Sequence, residues 1–144
     1  MTRRTIVVGF DGTDSSNRAL DHAKTMAKLL GATVHVVHVL EWSPYSFLTV
    51  EEVAERHKRR EEEVKRAESV VAPVMATLEK EGVTATSEIR YGNVAELMCE
   101  IAEAQQAVLI VVGRTGGSTF TQRFLGSLAL SLAQAAPVPV TVVP

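Results

Sequence analysis

At 144 residues the chain is long enough for one domain, 1–144, with its own hydrophobic core, and its 46% apolar and 22% charged content is that of an ordinary globular protein. A net charge of −2 gives no electrostatic reason to expect nucleic acid or an anionic membrane as partner, and a single cysteine, Cys99, excludes an internal disulfide framework and a thiol metal cluster. No apolar run approaches the roughly 18 residues that span a bilayer, and Asp11 interrupts the first apolar run too early for an export signal, so the expected location is cytoplasmic.

The first run, 5–10, is apolar and β-branched and predicts a strand. It ends at Asp11 and Gly12. The residues 14–17 then offer several N-caps for a helix whose apolar spacing is Ala19, Leu20, Ala23, Met26, Ala27 and Leu30, with Gly31 as its C-cap. The segment 33–40 is nearly continuous in β-formers and predicts the second strand. His35 and His38 lie three apart on it, so they face opposite sides of a sheet and cannot share a metal.

The stretch 41–49 is irregular and holds Trp42, Tyr45 and Phe47, which suit either a flap or a subunit contact. A long helix is predicted over about 50–81. Its first half has no apolar residue from Glu55 to Glu63 and is stitched by opposite charges four apart: Glu55 with Arg59, Glu61 with Lys65, Glu62 with Arg66. Its second half carries the stripe Ala67, Val71, Val74, Met75 and Leu78, so the first half is expected in solvent and the second packed. Gly82 ends it.

The segment 84–90 alternates weakly and reads as an edge strand. Tyr91, Gly92 and Asn93 read as a turn, with Asn93 capping a helix and Glu96 three residues on. That helix has Val94, Leu97, Met98, Ile101 and Ala102 on one face. A buried strand at 107–112, a glycine-rich loop, a short helix from Leu128 and a last strand at 138–143 complete the chain. Strand and helix alternate throughout, which implies a parallel sheet covered on both faces: an α/β three-layer sandwich, doubly wound and Rossmann-like. Such a sheet reverses direction beside its first strand and opens a crevice at the strand C-terminal ends.

The loop after 107–112 carries the chemistry. Gly113, Gly116 and Gly117 allow close backbone approach or positive φ, and Gly126 and Ser127 open a helix whose free N–H groups suit an anion. The hydroxyls of Thr115, Ser118, Thr119 and Thr121 and the cations Arg114 and Arg123 stand between. It is not a P-loop, because Leu128 stands after Ser127 and no lysine precedes it, and its glycines are too widely spaced for the dinucleotide fingerprint.

The spacing Gly113, two residues, Gly116, nine residues, Gly126, Ser127 resembles the nucleotide loop of the universal stress protein family. The resemblance extends to the opening around Asp11 and to the closing helix and strand. It implies a five-stranded parallel sheet in the order 3-2-1-4-5 and an adenine nucleotide, ATP above all, held with Mg2+ on its phosphates. It places Asp11 at the nucleoside, Val39 at the adenine, Gly113 and Gly116 along ribose and phosphates, and Gly126 and Ser127 at the phosphates, with Gly9, Phe10, Val112, Arg114, Gly117 and Leu128 completing the site; Arg114 and Arg123 suit solvent as well as phosphate. Many ATP-binding members carry a second hydroxyl just after the Gly-Ser pair, where this chain has Leu128 and Ala129. AMP, ADP and cyclic AMP therefore stay open beside ATP.

The resemblance also implies a homodimer formed by pairing of strand 138–143, which would cover an exposed sheet edge. Three activities follow: a nucleotide-binding regulator or stress sensor with an unidentified protein partner, a slow ATP hydrolase, or a dimeric adaptor that needs no nucleotide. Dedicated catalysis is the least supported, since no general base is evident and Asp11 belongs to the nucleoside end.

Overall fold

The computed structural model describes residues 4–41, 49–114 and 126–144. Nine elements alternate in chain order: β1 (Thr5–Gly9), α1 (Asp14–Leu30), β2 (Thr33–Leu40), α2 (Val50–Lys80), β3 (Ala85–Tyr91), α3 (Val94–Ala104), β4 (Leu109–Gly113), α4 (Ser127–Ala135) and β5 (Val140–Val143). The strands form one sheet in the order β3-β2-β1-β4-β5, every pair parallel. The Rossmann-like order 3-2-1-4-5 expected from the resemblance is thus the observed one.

The central strand β1 is buried on both faces because neither face meets water. Ile6 and Val8 point to a core closed by α1 and α2, with Ala19, Ala23, Ala27 and Leu78. Val7 points the other way, to a core closed by α3 and α4, with Leu97, Met98, Ile101 and Leu132. Continuous apolar runs are what a two-sided core requires, and the strands at 5–10, 33–40 and 107–112 were legible for that reason.

Two devices set how closely α1 lies on the sheet. Its buried face is made of small residues, Ser15, Ser16, Ala19, Ala23 and Ala27, whereas Leu30 is 38% exposed and stands outside the packed stripe. Its N-cap is Thr13, one residue before the expected cap segment, and Ser16 donates its amide to the Thr13 hydroxyl at 3.2 Å. At the other end Gly31 takes φ 64°, a left-handed cap that suits glycine.

Helix α2 starts on a reciprocal capping box between Thr49 and Glu52, at 3.2 Å in both directions. Ala67, Val71 and Leu78 are its buried residues, all in the second half, as expected. In the first half Glu55 pairs with Arg59 at 3.1 Å, and Glu61 reaches His57 at 3.2 Å. Such exposed pairs stabilise by only about 0.3–0.5 kcal/mol each. Tyr91 ends β3 and does not belong to the turn. Its hydroxyl donates to Glu63 Oε2 at 2.6 Å and so ties the middle of α2 to the sheet edge. Strand β3 is an edge strand, as its weak alternation implied, and β5 is the opposite edge. The last strand begins at Val140, with Pro139 contributing only its carbonyl, which accepts from Ile110 N–H at 3.0 Å.

Candidate functional site

The strand order changes direction between β1 and β4: the chain leaves β1 toward β2 and leaves β4 toward β5. The helices that follow, α1 and α4, pack on opposite faces of the sheet, and the space at the carboxyl ends of β1 and β4 is the crevice that a doubly wound sheet opens there. Here it has a volume of about 330 Å³. Ten of the twelve residues singled out from the sequence line it. Gly9, Phe10 and Asp11 arrive from the end of β1 and Val39 from β2. Val112, Gly113 and Arg114 come from the end of β4, and Gly126, Ser127 and Leu128 from the start of α4. Gly116 and Gly117 lie outside the described residues, as do Thr115, Ser118, Thr119, Thr121, Arg123 and the aromatic residues Trp42, Tyr45 and Phe47.

The crevice has an apolar end and a polar end. Val37, Val39, Val94, Met98 and Val112 make a slot lined by aliphatic side chains and one thioether. Thr13, Ser15 and Ser16 bring hydroxyls from the start of α1, opposite Ser127 at the start of α4, and Glu41 adds a carboxylate. By residue type alone the hydroxyls of the first turn of α1 are only capping candidates. Their second role follows from that placement, since a helix that begins at the carboxyl end of β1 points its first turn into the crevice. Val94 and Met98, whose spacing marks only a core face of α3, also line the crevice.

Asp11 is tied to the start of α1. Its Oδ1 accepts from the Thr13 hydroxyl at 2.6 Å and from the Thr13 amide at 3.0 Å. Burial pushes the carboxyl up, but the Thr13 hydroxyl and amide, the Ser16 hydroxyl and the nearby His38 together outweigh it and hold the group below its ordinary range. His38 in turn donates Nδ1–H to the Phe10 carbonyl at 2.8 Å, and the Phe10 amide donates to the Val37 carbonyl at 2.9 Å. The buried histidine therefore fixes the backbone next to Asp11, and both the carbonyl and the amide of Phe10 are held from β2.

The glycines owe their places to different causes. Neither Gly113 nor Gly126 takes positive φ; Gly126 sits at φ −66°. A Cβ on Gly113 would lie 2.7 Å from the Ser15 carbonyl oxygen, so this glycine admits the first turn of α1 against β4. The need for close approach was legible in the sequence, but the group that approaches is the chain's own helix. Gly126 is the N-cap of α4 and offers no side chain to its first turn, unlike Thr13, Thr49 and Asn93 at the starts of α1, α2 and α3. The first amides of α4 thus face the crevice without a side-chain acceptor.

Arg114 stands beside that helix start. Its amide donates to the Val143 carbonyl at 2.8 Å, and its carbonyl accepts from Gly126 N–H at 2.7 Å, so β5 and α4 pin its backbone from two sides. Its Nε is buried without a hydrogen-bond partner among the described residues. A buried cationic donor without an acceptor is costly, and an anion in the crevice would satisfy it. Among the described residues no group of three or more His, Cys, Asp or Glu is placed to hold a metal ion, and no helix is long and apolar enough to cross a membrane.

The universal stress protein family model matches residues 2–144. The chain belongs to the universal stress protein family. Among its family relatives, one from Thermus aquaticus is 36% identical and the match covers 97% of this chain and 98% of that one. One from Methanocaldococcus jannaschii is 33% identical, over 96% of this chain and 80% of the relative. The UspA structure from Lactobacillus plantarum superposes with a TM-score of 0.85 over the full length of both chains at 21% identity, which supports the fold. A universal stress protein solved in complex with cAMP has a TM-score of 0.70 and 25% identity over 100% of this chain and 98% of that one. The family member from Archaeoglobus fulgidus in complex with dAMP also has a TM-score of 0.70, at 24% identity over the full length of both chains.

Proposed function

We propose that the crevice between β1 and β4 is an adenine-nucleotide site and that the protein is a regulator whose state reports nucleotide occupancy, with ATP as the ligand. The observation that carries this reading is the polar end of the crevice. Arg114, whose carbonyl bonds to Gly126 and whose buried Nε has no hydrogen-bond partner among the described residues, adjoins the one described helix start that lacks a side-chain cap. Helix N-termini and arginine side chains are complementary to phosphate. In this reading the aliphatic slot around Val39 and Met98 takes the adenine, and the hydroxyls of Ser15, Ser16 and Ser127 flank the sugar and phosphates. A divalent ion would arrive on the nucleotide's own phosphates.

Hydrolysis has less support. Asp11 Oδ1 is already engaged by Thr13, and its depressed pKa makes it a poor base. A ligand acts as a regulator only through different affinity for two states. The outer edge of β5, with no strand beyond it among the described residues, would supply a second state by pairing with a second copy, and Arg114, bonded to Val143 on the side of β5 that faces β4, connects that strand to the crevice. The second ligand reading is a monophosphate. The cAMP and dAMP complexes of two structural neighbours favour it.

Native mass spectrometry on protein purified without added nucleotide, followed by calorimetric titration with ATP, AMP and cAMP, tests these readings. The expected result is a dimer that carries or takes up ATP more tightly than the monophosphates. Tighter AMP or cAMP would select the second reading. A protein that binds none of the three overturns both and leaves the nucleotide-independent adaptor.

A further inference from the structure

Away from the crevice, the sheet carries a second constellation of reactive side chains. His35 on β2 is only 4% exposed, and both of its ring nitrogens are engaged by β3. Nδ1 lies 2.6 Å from the Thr86 hydroxyl and Nε2 lies 2.7 Å from Glu88 Oε1. Glu88 Oε2 meets the Arg90 guanidinium at 3.5 Å. We propose that Thr86 is an activated hydroxyl that accepts acyl groups covalently, with His35 as its general base and Glu88 as the carboxylate that orients the ring.

The hydrogen-bond inventory sets the direction of the proton. A carboxylate only accepts, so Nε2 of the neutral ring carries the hydrogen and donates it to Glu88. Nδ1 is then left with its lone pair, and the hydroxyl of Thr86 donates to it. Hydroxyl, imidazole and carboxylate in that order are the nucleophile, base and orienting group of a covalent catalyst, recognised by geometry and not by chain position. The ring is used the other way round from the commoner arrangement, with the hydroxyl on Nδ1.

Register makes the constellation rigid. His35 is the cross-strand partner of Thr86, and Glu88 is two residues on, so all three share one face of two paired strands. The base and its carboxylate are sheltered while the nucleophile is not: His35 is buried, Glu88 is half-buried and Thr86 is exposed on the edge strand.

The step balances without an external oxidant or metal. The Thr86 Oγ–acyl carbon bond forms as the hydroxyl proton passes to His35 Nδ1, and the carbonyl electron pair moves onto oxygen. Collapse of that adduct breaks the acyl carbon–leaving group bond, and the imidazolium returns its proton to the departing oxygen. The hydroxyl stands on an open strand and not inside a closed pocket, so the expected reaction is a slow single acylation by activated esters. The assignment is independent of nucleotide binding.

The full chain, treated with p-nitrophenyl acetate, tests it. Release of p-nitrophenolate gives the rate, and peptide mass mapping gives the site. The expected product is one acetyl group per chain on Thr86. Thr86→Val removes that adduct, and Thr86→Ser restores it. Glu88→Gln keeps the adduct but forms it roughly tenfold more slowly, and His35→Gln slows it by roughly 10²-fold, the usual span of a lost general base. Acetylation confined to lysines or to the amino terminus, or an adduct rate unchanged in Thr86→Val, overturns the proposal. Thr86 and Glu88 lie at an exposed edge, so their variants are readable even where His35→Gln does not fold.

Discussion

Gly113 at the end of β4 lies directly against Ser15 in the first turn of α1: a Cβ on the glycine would stand 2.7 Å from the Ser15 carbonyl oxygen and 2.9 Å from its carbonyl carbon. Backbone cannot yield as a flexible side chain does, so Gly113→Ala must push α1 off the sheet or bend β4. Over-packing of this kind costs about 1–3 kcal/mol, and for a chain of this size each kcal/mol lowers Tm by about 2–4 °C. Gly9→Ala is the control. Its Cβ would first meet Met98 Cε at 3.4 Å and Val112 Cγ1 at 3.5 Å, ordinary contacts, so thermal unfolding should barely change. Equal losses in the two variants would refute the role given to Ser15.

Arg114→Met keeps the aliphatic stem of the side chain and removes the guanidinium. If the buried Nε waits for phosphate, ATP should bind about 10–100-fold more weakly, the equivalent of about 1.5–3 kcal/mol for a lost charge-assisted hydrogen bond. Adenosine should bind as it does to the unaltered protein. Titration of both ligands against both proteins reads the difference. A parallel loss for ATP and adenosine would assign Arg114 to the crevice wall instead.

These two residues also mark how far the sequence reached. The buried strands were legible because a sheet covered on both faces needs unbroken apolar runs, and β2 was bounded at 33–40 as found. The gathering of Asp11, Val39 and Gly113 in one crevice followed from strand alternation plus the family resemblance. What escaped was set by pairwise geometry. Thr13 caps α1 because its hydroxyl meets the Ser16 amide, yet the neighbouring Asp14, Ser15 and Ser16 are equally good caps by type. Thr49 and Glu52 form a capping box that the charge run after them obscured. The pairing of His35 with Thr86 and Glu88 depends on the register of two strands 51 and 53 residues apart in the chain, which no local pattern carries.

Asp11→Asn should alter the acid limb of the stability profile. The Asp11 carboxyl is held below its ordinary 3.8 in the folded protein. A depressed acid contributes stability that is complete above the unfolded value and disappears as pH falls through the lower folded value. The unaltered protein should therefore lose this contribution on acidification from about pH 4 downward. The asparagine variant, which keeps an acceptor for Thr13 but cannot titrate, should show a flatter profile there. Unfolding midpoints measured between neutral and acid pH decide it, and identical slopes would remove Asp11 from the account.

Tyr91 fastens the exposed half of α2 to the sheet. Burial, then the hydrogen bond and charge of Glu63, push its hydroxyl up to about 12. A raised acid of this kind stabilises fully below its ordinary 10.0 and loses the contribution as pH rises through about 12. Tyr91→Phe removes the bond outright, at a cost of about 0.5–1.5 kcal/mol. The effect should be local: hydrogen exchange should quicken in α2 around Glu63 and leave β1 and β4 unchanged. Uniform acceleration across the chain would mean that Tyr91 supports the whole fold and not this one attachment.

The two sides of β5 allow one substitution to separate folding from self-association. Ile110 N–H bonds to the Pro139 carbonyl and Arg114 N–H to the Val143 carbonyl, so the odd-numbered residues of β5 turn their backbone groups to β4. The amides of Val140 and Val142 then point outward, along the edge proposed to pair with a second copy. Val142→Pro removes an outward amide, which an edge strand tolerates. The expected protein is folded and binds nucleotide but sediments as a monomer. Thr141→Pro, one residue away, removes an amide that faces β4 and should destabilise the sheet by about 1–3 kcal/mol. Sedimentation and thermal unfolding of the pair give a crossed result if β5 is the interface. A Val142→Pro protein that still sediments as a dimer would move the interface elsewhere and leave the edge of β5 unpaired.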